Sequence, residues 1–266
     1  MPPGCCRVMG VLNVTPDSFS DGGRWFDHAA AVDHGRALFG AGADVVDVGG
    51  ESTRPGAEPV GAAEEIRRVV PVIEALARLG RVSVDTRHRE VAEAAVSAGA
   101  TLVNDVSASL AQVAAEAGVG WVAMHMQGQP STMQAEPSYG DVVAEVAQYL
   151  FERADAAVAI GVEEVWVDPG IGFGKTFDHN LKLLRHLRRI VDGGYPVVVG
   201  TSRKAFVRRL CGDVTIEAVR SGDDVALEGS LTTAIVAMNA GVGMVRVHDV
   251  AETVRAARLL REAVAA

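Results

Sequence analysis

The sequence predicts a single-domain (β/α)8 barrel spanning residues 1–266, and two observations carry that expectation. Short apolar runs recur along the whole chain, each ending in polar residues, and stretches of helical spacing lie between them. The length suits one barrel of this kind, whose active site lies at the C-terminal mouth of the strands.

The strand interiors read as Val8–Val14, Val45–Val48, Val82–Val84, Leu102–Val103, Trp121–Met124, Val165–Val167, Val197–Val199 and Met244–Val247. Continuous runs of this type suit parallel strands buried on both faces. Their tips carry Asn13 to Asp17, Glu51 to Arg54, Asp85 to Arg87, Asn104 and Asp105, His125, Asp168, Thr201 to Lys204, and Arg246 to Asp249. Helices are expected over Ala29–Ala41, Ala62–Leu79, Arg89–Ala98, Ala111–Ala117, Asp141–Ile160, Asn180–Val191, Ala226–Ala240 and Val250–Ala265, with a further helix starting at Lys204. A doubly wound open sheet is the alternative topology, but it would not place functional tips on nearly every strand.

Composition agrees with one soluble domain. The chain is 48% hydrophobic and has no linker-like break, no apolar run of membrane-spanning length and no signal peptide at Met1–Cys6. Cys5, Cys6 and Cys211 form no CxxC pair, so a reducing, cytoplasmic location is the simpler reading. A net charge of −9 argues against nonspecific nucleic-acid binding and leaves room for a local cationic pocket.

The chemistry is expected at the mouth. In Asp47–Gly56 a strand gives way to glycines, hydroxyls and the guanidinium of Arg54, a fork suited to phosphate or carboxylate, although an ordinary turn with a surface arginine would look similar. Asp85, Asn104 and Asp168 end the third, fourth and sixth strands. A carboxylate there can accept two parallel hydrogen bonds from a heterocycle with adjacent N–H and NH₂ groups, whereas a loop cap is the bland reading of each acid alone. Lys204, Arg246 and His248 with Arg54 make a candidate anion pocket. Lys204 could instead be a Schiff-base lysine, but it stands at a helix start rather than inside an apolar strand. The long first loop, Asn13–Gly23, carries an apolar Phe19 and reads as a lid; Arg208–Asp224 reads as an insertion without an assigned role.

These motifs together resemble the bacterial dihydropteroate synthase family. The resemblance rests on Val8–Gly23, Asp47–Gly56, Ser83–Thr86, Val103–Asp105, Met124–Gly128, Val167–Lys175, Gly200–Lys204 and Val245–Asp249, in the family's order. It implies that 4-aminobenzoate displaces pyrophosphate from 6-hydroxymethyl-7,8-dihydropterin diphosphate, giving 7,8-dihydropteroate. By position, Asp85, Asn104, Met124, Asp168, Phe173, Lys204 and Arg246 would hold the pterin. Asn13, Thr53, Arg54, Arg246 and His248 would grip the diphosphate, with Asn13 also ligating Mg²⁺. Phe19, Pro55, Phe173 and Lys204 would form the 4-aminobenzoate slot. The resemblance also implies a homodimer.

Two departures stand out. Ser107–Leu110 runs straight into a helix where relatives have a longer loop, and Ala205 stands where some carry a hydroxyl near the benzoate carboxylate, leaving that anion to backbone amides. Two other functions share part of the pattern. A silent pterin-binding paralogue should have lost some of Asn13, Arg54 or Lys204. A methyltransfer barrel with a corrinoid partner has no reason to keep Glu51–Gly56.

Overall fold

The structure, a computed structural model, describes residues 6–15, 28–52, 59–129, 132–212 and 225–264. Phe19, Thr53, Arg54 and Pro55 lie outside these residues, as do most of the expected lid and residues 213–224.

Eight parallel strands form the sheet: β1 (Arg7–Asn13), β2 (Val45–Gly49), β3 (Arg81–Asp85), β4 (Leu102–Asp105), β5 (Gly120–Met124), β6 (Val165–Asp168), β7 (Val198–Val199) and β8 (Met244–Val247). Their order is β6-β5-β4-β3-β2-β1-β8-β7. A parallel bridge between Val167 and Val197 joins the two ends, so the sheet closes as the barrel expected from sequence.

Between the strands run α1 (His28–Gly40), α2 (Ala62–Leu76), α3 (Arg89–Ser97), α4 (Ala111–Ala117), α5 (Val142–Ala159), α6 (Phe177–Arg185), α7 (Leu187–Val191), α8 (Ala205–Leu210), α9 (Val225–Asn239) and α10 (Val250–Val264). In α2 the buried Val69, Val72, Ile73 and Leu76 repeat with the helical period, and acidic Glu64 and Glu65 fall in the first turn. Pro71 inside this helix has no N–H for the Arg67 carbonyl, which lies 3.0 Å from His28 Nε2 instead. Asp141 caps α5 by accepting from the amides of Val143 and Ala144. The single helix expected over Asn180–Val191 is two, separated at His186, where φ is −108° and ψ is 19°. No proline or glycine marks that break in the sequence.

Two apolar layers result. The larger packs the outer faces of the strands against the helices. The smaller comprises Met9, Val45, Leu102, Val122, Trp166, Val198 and Met244, one residue from every strand but β3, and fills the barrel interior. Below it, at the N-terminal end, Arg81 pairs with both oxygens of Glu164 at 2.9 and 2.5 Å, and Trp166 Nε1 donates to Glu164 at 2.8 Å. The barrel floor is thus closed by a self-satisfied ionic cluster. No helix among the described residues is long and apolar enough to cross a membrane.

Candidate active site

Strand periodicity builds the site from the interior layer. Two residues beyond Val45, Leu102, Val122, Trp166 and Met244 stand Asp47, Asn104, Met124, Asp168 and Arg246, on the same face of each strand. The strand register aligns Asn13 with Gly49, Gly49 with Asp85, Asp85 with Asn104, and Met124 with Asp168. Asn13, Asp85, Asn104, Met124, Asp168 and Arg246 therefore converge at the mouth, as expected. Asn104, Met124 and Asp168 are buried there.

Arg246 lies within β8 rather than after it, and two acids share its guanidinium. Its Nε donates to Asp47 Oδ2 at 2.6 Å and its Nη2 to Asp85 Oδ2 at 2.7 Å. Asn104 Nδ2 donates to the same Asp47 oxygen at 2.9 Å. Burial works against the Arg246 cation, but Asp47 and Asp85 outweigh it and hold the group protonated. Burial, reinforced by Asp47, Glu65 and Asp168, pushes Asp85 up to about 7 despite the pull of Arg246. Asp168 is also raised by burial, opposed chiefly by Lys204. Lys204 itself is lowered by burial to about 8, with Asp168 pulling the other way.

The loop after β6 is tightly folded around Asp168. The carboxylate accepts from the Gly170 amide at 2.7 Å, and Gly170 has φ +61°. A Cβ there would lie 1.8 Å from the His125 carbonyl oxygen, so the backbones of the fifth and sixth loops touch only because residue 170 is glycine. Lys175 is 2% exposed and ties the same loops together. Its Nζ reaches His125 Nδ1 at 3.0 Å, the Phe173 carbonyl at 3.0 Å and the His125 carbonyl at 3.3 Å. Lys204, at the start of α8, donates to the Ile171 carbonyl and stands 4.7 Å above the Phe173 ring. In the same loop, Ser202 Oγ lies 3.0 Å from His248 Nδ1 and accepts from the His248 amide at 3.2 Å.

Among the described residues, one group could supply three metal ligands: Glu51, Glu65 and His88. Both Glu51 oxygens already accept from Arg87, each at 2.9 Å, and His88 Nδ1 lies 2.8 Å from Glu65. This is an ion-pair network behind the second loop. Asn13 offers a hard oxygen donor at the mouth, which fits a magnesium ion held mainly by substrate phosphate and water.

Sequence reasoning missed three residues. Asp47 lies inside a valine run, where a carboxylate without charged neighbours in sequence gives a weak signal; its burial between Arg246 and Asn104 reveals it. Lys175 closes a glycine-rich motif and Ser202 precedes Lys204, so both were visible but without a role. Asp105, in contrast, is a loop cap. Its carboxylate accepts from the amides of Ser107, Ser109 and Leu110 and from Trp121 Nε1. This cap shapes the short fourth loop noted in the sequence.

A barrel mouth lined by buried acids, an amide and two cations defines an enzyme site for a flat, donor-rich heterocycle with an anionic group. The family model described as pterin binding enzyme matches residues 9–248. The chain is 43% identical over 268 residues to dihydropteroate synthase of Escherichia coli (strain K12), covering 98% of this chain and 92% of that one. Among solved structures, Xanthomonas albilineans dihydropteroate synthase with 4-aminobenzoic acid superimposes with a TM-score of 0.88 at 44% identity, covering 98% of this chain and 94% of that one. The same enzyme in complex with 7,8-dihydropteroate gives a TM-score of 0.84 at 41% identity, covering 98% and 94%. The chain belongs to the pterin-binding enzymes and, within them, to the dihydropteroate synthase family.

Proposed function

We propose that this protein condenses 6-hydroxymethyl-7,8-dihydropterin diphosphate with 4-aminobenzoate, releasing pyrophosphate and forming 7,8-dihydropteroate. The observation that carries the reading is the convergence of Asp85, Asn104, Asp168 and Lys204 at one barrel mouth in a chain of this family. The acids and the Asn104 carbonyl accept from the pterin's N–H and NH₂ groups. Lys204 donates to its oxygen or ring nitrogen, Met124 and Phe173 line its faces, and Arg246 lies beside its plane.

The reaction breaks the bond between the pterin methylene and the diphosphate oxygen, whose electron pair leaves with pyrophosphate, and forms one from that methylene to the aniline nitrogen, which gives up a proton to solvent. The electron-rich pterin stabilises positive charge on the carbon, while Arg54, Thr53, Asn13 and His248 meet the growing charge on pyrophosphate. Bound magnesium, with Asn13 as its protein ligand, would neutralise part of that charge. The aniline is neutral at pH 7, so the slot of Phe19, Pro55, Phe173 and Lys204 mainly orients it, and no protein nucleophile is needed. Three further attributes complete the reading: a single functional domain over residues 1–266, a homodimer as in the resemblance, and a reducing cytoplasmic location, in keeping with the free thiols of Cys6 and Cys211.

The test combines the pterin diphosphate, 4-aminobenzoate and Mg²⁺ with the purified chain and follows dihydropteroate by chromatography. Product formation at a rate far above the protein-free control is expected. Tight pterin binding without product would instead identify a silent pterin-binding paralogue.

A further inference from the structure

We propose that Asp47 is a positioning residue that fixes which end of the Asn104 amide, and which plane of the Arg246 guanidinium, faces the pterin. The proposal rests on the pterin reading above and concerns a residue that never needs to touch substrate.

The argument begins with donor and acceptor chemistry. Asp47 is fully buried in the middle of β2, one layer beneath the row formed by Gly49, Asp85 and Asn104. An ionised carboxylate only accepts hydrogen bonds, so it can face the Asn104 amide only through the NH₂ end. The 2.9 Å bond from Asn104 Nδ2 therefore sends the amide carbonyl to the other side, away from Asp47. The mouth then presents an acceptor to a ligand rich in donors. The same Asp47 oxygen takes Arg246 Nε at 2.6 Å while Asp85 takes Nη2 at 2.7 Å. Two in-plane bonds to two strands fix the plane of a guanidinium, because all its donors lie in that plane.

The remaining Asp47 oxygen shows that the site has room for an amide. Asp47 Oδ1 and Ser83 Oγ are both buried without a hydrogen-bond partner among the described residues, and Asp47 and Ser83 are paired in register on adjacent strands. An asparagine at residue 47 could keep its carbonyl toward Arg246 and Asn104 while its NH₂ turned toward Ser83. The chain instead carries the carboxylate, which meets the Arg246 cation and, unlike the amide, can only accept from Asn104.

The test separates loss of the acceptor from loss of the charge, using 6-hydroxymethylpterin as probe in titration calorimetry. Asp47→Asn keeps an acceptor beneath Asn104 and should bind the probe within about fivefold of the wild-type chain. Asp47→Leu removes the acceptor, frees Asn104 to turn, and should weaken binding at least thirtyfold, while a thermal melt shows a folded barrel. In an Asn104→Ala background the same Asp47→Leu change should cost less than a third of that factor, because one of the two groups it positions is gone. If Asp47→Leu does not fold, the isosteric pair Asp47→Thr and Asp47→Val asks the same question, with the threonine hydroxyl retaining an acceptor. Equal affinity for the members of a pair, or equal cost of Asp47→Leu with and without Asn104, would overturn the proposal. Failure of the wild-type chain to bind the probe would instead overturn the pterin reading itself.

Discussion

Replacing Asp168 by asparagine tests the pterin clamp at its most constrained point. Asp168 Oδ1 already accepts from the Gly170 amide at 2.7 Å, which leaves the second oxygen as the acceptor toward the mouth. Asparagine has two placements and each loses one partner. With its carbonyl on the Gly170 amide, its NH₂ points at the donors of the pterin. With the carbonyl turned to the ligand, the NH₂ meets the Gly170 N–H, a buried donor left without an acceptor. A lost charge-assisted hydrogen bond together with an opposed or orphaned donor costs about 2–4 kcal/mol. Pterin affinity should fall by roughly 30- to 1,000-fold at that cost. Titration calorimetry with 6-hydroxymethylpterin measures it directly, and a melting curve separates loss of binding from loss of fold. A folded Asp168→Asn chain that binds within about threefold of wild type would refute the clamp.

Two further outcomes follow from this geometry, and two from the sequence reading. Gly170→Ala places a Cβ 1.8 Å from the His125 carbonyl at φ +61°, so urea denaturation should show a loss of about 2–4 kcal/mol, and an unchanged midpoint would contradict the loop packing. Burial, helped by Lys175, pushes His125 from 6.5 down to about 3, so the unfolded chain binds a proton below pH 6.5 that the folded chain refuses. The stability contributed by the neutral ring is complete above pH 6.5 and is lost as pH falls toward 3; between pH 7 and 5 it should decline by about 2 kcal/mol, a slope absent from His125→Asn. Parallel slopes for the two chains would count against it. Arg54→Lys keeps the charge but loses the fork, and kcat should drop at least about tenfold, roughly 1.4 kcal/mol of transition-state stabilisation; a rise in KM for the diphosphate alone would make Arg54 a uniform binding residue. Finally, 4-aminobenzoate should bind weakly to the free protein and well once pyrophosphate and Mg²⁺ are present, and equal affinity in both conditions would exclude ordered binding.

Much of this was legible before any coordinates because barrels write their chemistry in one place. Valine-rich runs such as Val45–Val48 suit buried strands, and in a barrel the residues that end them share a mouth, which is why Asp85, Asn104 and Asp168 could be grouped from sequence. What failed was whatever depends on side-chain pairing across strands. Arg246 was legible as a cation but not as the partner of Asp47, 199 residues away. Asp47 looked like one polar residue in a strand because the pattern gives strand direction but not which interior layer a residue occupies. The His186 break has no local breaker, so tertiary packing of the two short helices decides it. Asp105 and Asp168 both end strands and both read as polar tips. Only the side of the strand each one faces separates a cap from a site residue.

The way the barrel closes bears on what its ligand does. β7 contributes two residues, and the joint between β6 and β7 is a single bridge at Val167 and Val197, with the Val167 amide donating to Pro196 at 3.0 Å. Asp168 flanks that seam on one side, Lys204 on the other, and the Lys204 ammonium already reaches across to the Ile171 carbonyl. A ligand held by both residues would act as a rivet over the joint with few backbone bonds of its own, where opening costs least. Substrate would then complete the cylinder that binds it, and the grip on the pterin and the integrity of the wall would become one mechanical property.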